Sequence, residues 1–266
     1  MRIIDPHIHM YSRTTDDYEK MALAGIEVVV EPSFWLGSPR TSPDTMVDYW
    51  ENIISFETER ANKYGIEHYC MISVNPKEAN NAELATKCME IMPKYLERKN
   101  VVGLGEIGFD QITELEEAFF RKQLKLAKNM NVPVIIHTPH SKKLEGTKKT
   151  IEIIKEENFD ERTIIIDHNT EETIPLCLKL DTMAAITIYP KTKMSPSRAI
   201  NLIRKYGIER MLLNSSSDWG EADPLSVPKT AMQMKLEGFK SSEIEKLVCE
   251  NPYNFFKQSK NFTYRL

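Results

Sequence analysis

Eight short apolar, β-branched runs recur through the 266 residues, and stretches with helical apolar spacing lie between them. This alternation restricts the fold more than any other feature of the chain. Runs such as Val28-Val29-Val30 and Ile164-Ile165-Ile166 have no polar face, so they suit strands of a parallel sheet covered on both sides. The expected strands are Ile3–Asp5, Glu27–Glu31, His68–Val74, Val101–Glu106, Val132–His137, Thr163–Asp167, Met183–Ile188 and Met211–Asn214. Helices are expected over Asp16–Ala24, Met46–Lys63, Ala82–Leu96, Glu114–Met130, Thr147–Glu156, Glu172–Leu180, Pro196–Lys205 and Val227–Leu236. Eight βα units close an α/β fold, the (β/α)8 TIM barrel. Gly25, Gly65 and Gly207 each follow a helix where a left-handed cap is cheap.

No composition break divides the chain, so residues 1–266 read as one domain with 241–266 as a C-terminal helical appendage on the barrel's outside. The net charge of −4 provides no field for bulk nucleic-acid or anionic-membrane binding. Cys70, Cys88, Cys177 and Cys249 are scattered and read as small apolar core residues in a reducing compartment. The start, Met1-Arg2-Ile3-Ile4-Asp5, enters a strand directly and has no signal-peptide pattern, and no run is long enough to span a bilayer. A cytoplasmic protein without membrane association is expected.

Chemistry-bearing residues fall at the ends of the apolar runs. Asp5-Pro6-His7-Ile8-His9 closes the first. In extended backbone His7 and His9 lean to one side, about 6 to 7 Å apart, close enough to share a divalent cation. Glu106, His137 and His168 close the fourth, fifth and sixth runs at equal intervals, about one βα unit of a roughly 250-residue barrel. Asp218 lies just past the eighth, beside the first in a closed barrel. Four imidazoles and two carboxylates at one mouth suit Zn²⁺ foremost, with Mn²⁺ or Mg²⁺ as alternatives. Six ligands exceed one tetrahedral ion, so two divalent metal ions bridged by Glu106 are expected.

These segments, with Gly105-Glu106-Ile107-Gly108-Phe109-Asp110, Ser217-Asp218 and the closing Asn251-Pro252-Tyr253-Asn254-Phe255-Phe256, resemble the TatD-related branch of the metal-dependent amidohydrolase superfamily. The resemblance implies a hydrolase in which His7, His9 and Asp218 hold one metal, His137 and His168 the other, with Glu106 between. A cation brings the pKa of bound water towards neutrality, which implies a hydroxide nucleophile acting on phosphoester or amide-like bonds. Asp218 is the expected proton acceptor and later donor to the leaving group. Asp5 is expected to orient a histidine.

The substrate-facing residues depart from the family. Its nucleases carry an arginine two residues after the fifth-strand histidine, whereas this chain reads His137-Thr138-Pro139-His140. Asn169-Thr170-Glu171-Glu172 replaces a Cys-Phe-Ser-Gly segment, and Ser216-Ser217 stands where Glu-Thr is common. A small molecule, nucleotide or nucleic-acid fragment is the expected substrate, and no feature sets an oligomeric state. His140, Trp219 and Trp35 are candidate substrate contacts, with Phe34 as a possible wall; each also fits an ordinary loop position. Asn214, Ser215 and the Glu221-Ala222-Asp223-Pro224 loop are candidates by position alone. Lys142, Lys143, Lys148 and Lys149 fit a phosphate-attracting rim or a solvated helix face, and His68 reads as structural. A carbamylated-lysine bridge is disfavoured because no lysine lies between Val101 and Glu106, and a deaminase because the fifth strand offers His-x-x-His. The alternative of another class is a metal-binding barrel acting as partner or scaffold.

Overall fold

The computed structural model describes residues 1–266. Its strands are β1 (Ile3–Asp5), β2 (Ile26–Pro32), β3 (Glu67–Ile72), β4 (Val101–Gly108), β5 (Val134–His137), β6 (Ile164–Ile166), β7 (Met183–Thr187) and β8 (Met211–Asn214). They form one parallel sheet in chain order, with helices between them. No ladder joins β8 to β1. Loop bonds close the barrel there: Ser216 N–H donates to the His7 carbonyl (2.8 Å) and His9 N–H to the Ser217 carbonyl (3.1 Å). The Asp5 carboxylate reinforces them by accepting Ser215 N–H at 3.3 Å on both oxygens.

The strands bury two faces. Ile4, Val28, Val30, Met71, Ile135 and Leu212 point into the barrel and form its inner core, while alternate residues such as Val29, Ile136 and Leu213 pack under the helices. Gly25, Gly65 and Gly207 have φ of +86°, +72° and +81°, the left-handed geometry expected after a helix end.

Several boundaries differ from those read in the sequence. β4 continues past Glu106, and β6 ends before Asp167, which leaves His168 in a loop. The expected helix Glu172–Leu180 contracts to Ile174–Cys177, because Pro175 is accommodated in a first helical turn and not further inside. The helix expected from Thr147 begins at Lys143, which brings that lysine to the mouth. The expected helix Met46–Lys63 is interrupted by a π-helical stretch at Asn52–Glu57. No helix is long and apolar enough to cross a membrane, and all four cysteines are free and buried.

The C-terminal segment is helical through Phe256; Ile244, Leu247 and Val248 pack in the outer layer as expected, and the residues that follow turn under the barrel and stop its N-terminal end. Phe255, Phe256 and Phe262 join the inner core. The Asn251 amide donates to the Ile208 and Met211 carbonyls before and within β8, and the Asn261 amide to those of Arg98 and Val101 at the start of β4. His68 is buried nearby in structure but outside the barrel wall, with Nε2 2.8 Å from Glu31 and Nδ1 3.0 Å from the Thr58 hydroxyl. Phe256→Ala is expected to cost about 3–5 kcal/mol, the range for emptying a buried phenyl site. An unfolding free energy from denaturant titration within about 1 kcal/mol of wild type would show that the stopper contributes little to the core.

Candidate metal centre

The pocket at the C-terminal mouth contains the expected ligands. One ligand atom each of His7, Glu106 and His168 lies within 4.8 Å of the others. Glu106 Oε1 is the focus, 3.4 Å from His7 Nε2, 3.2 Å from His137 Nδ1 and 3.2 Å from His168 Nε2. His9 Nε2 lies 3.1 Å from His7 Nε2, with the rings perpendicular. His9, Glu106, His137, His168 and Asp218 line the same pocket.

Asp167, which the sequence reading assigned no function, fixes two of these rings. Its carboxylate is 2.5 Å from His7 Nδ1 and accepts from His168 N–H (2.5 Å), the Thr187 hydroxyl (3.1 Å) and the Asn214 amide (3.0 and 2.9 Å). Burial raises its pKa, but His168 and His7 outweigh burial and hold the group below the usual carboxylate range. With Nδ1 facing a carboxylate, His7 carries its proton there and presents the Nε2 lone pair to the pocket. The Thr187 hydroxyl donates to Asp167 and so accepts from His168 Nδ1, 2.6 Å away. His168 therefore presents Nε2 as well. The backbone at His168 is left-handed (φ +58°), a conformation costly for a residue with a side chain, and the Asp167 bond to its N–H supports it.

This donor set fits a cation. Two Nε2 lone pairs aimed at one carboxylate oxygen repel unless positive charge lies among them. Burial opposes protonation of His7, yet Glu106 and Asp167 raise its pKa, while burial opposes ionisation of Glu106, yet His7 and His137 hold it well below its usual value. Both shifts reflect demand for positive charge at one point. Burial pushes His9 down to about 3, so it is a neutral imidazole, and its buried Nδ1 has no hydrogen-bond partner. His9 stacks on Phe34 (centroids 3.8 Å), and Phe34 contacts Trp219 (4.9 Å).

Asp218 is turned by two donors. Its Oδ1 accepts the Tyr189 hydroxyl (2.9 Å) and Gly220 N–H (2.7 Å), and a side chain at position 220 would collide with that hydroxyl. Burial, reinforced by Asp218, holds the Tyr189 phenol well above its usual pKa, so it remains a donor.

Other positions differ from expectation. Asp5 accepts His7 backbone N–H (3.2 Å) and Ser215 N–H, and touches no imidazole ring; burial raises it to about 7. Asn214 and Ser215 are fully buried and bonded to Asp167 and Asp5, so neither meets substrate. Glu221 pairs outward with Lys191 at 2.7 Å. Trp35, Trp219 and His140 line the pocket, with His140 ring centroids 6.3 Å from His137 and 6.4 Å from His168. Lys193, which the sequence reading did not single out, lines it too.

A (β/α)8 barrel with a histidine–carboxylate cluster at its C-terminal mouth belongs to the class of metal-dependent hydrolases. Residues 4–257 match the model of the TatD-related DNase family, and the chain is a member of that family. It is 32% identical over 258 residues to an uncharacterized metal-dependent hydrolase of Methanocaldococcus jannaschii, covering 96% of this chain and all of that one. A TatD-like protein from Archaeoglobus fulgidus superposes with a TM-score of 0.78 at 28% identity, covering 96% of this chain and 99% of the other. A mutant organophosphorus hydrolase from Deinococcus radiodurans, at 17% identity and TM-score 0.71 over 96% and 92% of the two chains, shares the fold.

Removing the Asp167 charge tests its part in orienting the rings. Asp167→Asn is expected to weaken metal binding about 10–100-fold, and Thr187→Val to weaken it less. Metal titration followed by far-UV circular dichroism measures both; unchanged affinity in a folded Asp167→Asn protein would mean the rings are held by other contacts.

Proposed function

We propose that this metal-dependent hydrolase is binuclear and cleaves phosphoester bonds. The observation that supports the binuclear reading is the convergence of three imidazoles, those of His7, His137 and His168, on Glu106 Oε1, with His9 and Asp218 lining the same pocket: more donors than one tetrahedral ion uses. In this reading His7, His9 and Asp218 would hold one ion and His137 and His168 the second, with Glu106 shared between them. Membership in a family described as DNases supports the phosphoester bond. Bound there, divalent ions of the zinc or manganese type lower the pKa of a coordinated water and polarise the oxygen of the scissile group.

The chain's own residues supply orientation and proton transfer. Asp167 and Thr187 fix the proton on Nδ1 of His7 and His168, so both Nε2 atoms remain donors of lone pairs. Tyr189 and Gly220 occupy Asp218 Oδ1, which leaves Oδ2 for the pocket and for accepting a proton from the attacking water. The same carboxylic acid then protonates the leaving oxygen. Phe34, Trp35 and Trp219 provide an apolar wall against which a substrate's flat or aliphatic part can lie.

Elemental analysis of the purified chain is expected to give close to two metals, and Glu106→Gln one or fewer; one metal in wild type would remove the bridging role. Hydrolysis of bis-p-nitrophenyl phosphate and single-stranded DNA is expected to stop on chelation. Asp218→Asn is expected to reduce it by roughly 10²–10⁴-fold. A fully loaded protein inert towards both substrates contradicts the phosphoester assignment.

A further inference from the structure

Beside the metal pocket and continuous with it lies a second recess, between the loops that follow β5, β6 and β7. His140, His168 and Lys193 line both spaces, and Lys143, Thr170 and Thr192 complete the polar wall of the recess. No aspartate or glutamate lines it. Lys143 Nζ donates to the Thr138 carbonyl (2.9 Å) and hydroxyl (3.0 Å), which leaves one of its three N–H groups unused. Lys193 lies with Nζ 4.9 Å from the centroid of the Tyr189 ring, and its ammonium has no ion pair or hydrogen bond. The carboxylates that act on Lys193 from a distance, Glu106, Asp218 and Asp167, belong to the metal centre.

Two ammonium groups in one partly buried recess repel each other and are deprived of water, and buried charges are ordinarily paired. Consistent with that cost, burial and the neighbouring Lys193 push Lys143 down to about 7. Burial, with Lys193, also pushes His140 down to about 4, so its ring is neutral and can donate or accept a hydrogen bond. The protein's counter-charges lie at the metal centre and none lines the recess itself, so an anionic ligand seated there would meet both lysines directly.

We propose that this recess is a subsite for a phosphate monoester group of the substrate, gripped by Lys143 and Lys193. A monoester phosphate carries a charge near −2 and accepts several hydrogen bonds, which matches two lysines flanked by hydroxyls and a neutral imidazole. Because His140, His168 and Lys193 face both spaces, a group seated here lies next to the bond presented to the metals. The substrate class is therefore a molecule bearing a second phosphate close to the scissile ester, such as a terminally phosphorylated nucleotide or a short nucleic-acid end. The subsite also supplies a phosphate cation that the His137-Thr138-Pro139 segment lacks.

The choice of scissile bond rests on the phosphoester reading, but binding at the subsite does not require turnover. Inorganic phosphate is titrated calorimetrically into the full, metal-loaded chain, with metal content measured on the same samples. Lys143→Gln and Lys193→Gln are each expected to weaken phosphate binding at least 10-fold at unchanged metal content, while Lys193→Arg, which keeps the cation, stays within about threefold of wild type. Wild-type affinity retained in both glutamine variants would place phosphate on the metals alone and overturn the subsite. Malonate run in parallel tests the oxyanion class; lysine-dependent binding of malonate tighter than that of phosphate would overturn the phosphate assignment. Lysine-dependent phosphate binding in a chain that hydrolyses neither phosphoester substrate would leave the subsite standing and count against the hydrolytic reading only.

Discussion

The buried carboxylate of Asp167 is the interaction on which the site depends. An ionised carboxylate without water is expensive unless its oxygens are saturated with donors. Here the donors come from the His7 ring, the His168 backbone, the Thr187 hydroxyl and the Asn214 amide. They lie at the ends of β1, β6, β7 and β8, so one charge ties together strands that are distant in the chain. Satisfying that charge also sets the tautomers of two imidazoles. Folding and preparation of the metal centre are therefore parts of the same hydrogen-bond network.

Around this hub the mouth divides by charge. Glu106 and Asp218 face the aromatic side, where Phe34 stacks on His9 and Trp219 packs at a tilt against Phe34. Lys143 lines the recess on the other side, under the loop after β5, and Lys193, from the loop after β7, lies between the two spaces. The relation of the two sides is set by the barrel, because each strand delivers its terminal residues to a fixed place on the rim. Tyr189 and Lys193 leave the same loop in different directions, one to orient an acid and the other to line the cationic recess.

The barrel and the ligand cluster were legible because both follow a period. Apolar runs at regular spacing give the strands, and Glu106, His137 and His168 recur at the same interval. Asp167 was not legible in this way: an acid ending a strand reads as ordinary punctuation, and its partners lie on three other strands. Asp5 shows the opposite case. Its place before the first histidine suggested a ring partner, yet its oxygens join β1 to the loop after β8 through backbone N–H groups. The sequence also could not distinguish Lys191, paired outward with Glu221, from Lys193, since two residues decide which side of the loop each occupies. Phe255, Phe256 and Phe262 had apolar spacing that announced burial, but only the tertiary arrangement directs them into the barrel's end.

The junction between β8 and β1 has a mechanical consequence. Seven of the eight strand boundaries are parallel ladders, three of them with a register shift, while this one relies on a few loop bonds and the Asp5 carboxylate. A cylinder parts most easily along its least-stitched line, and that line runs between His7 and His9 on one bank and Asp218 on the other. Ions clasped by residues of both banks would act as rivets across it, so loading the centre would stiffen the wall along this line.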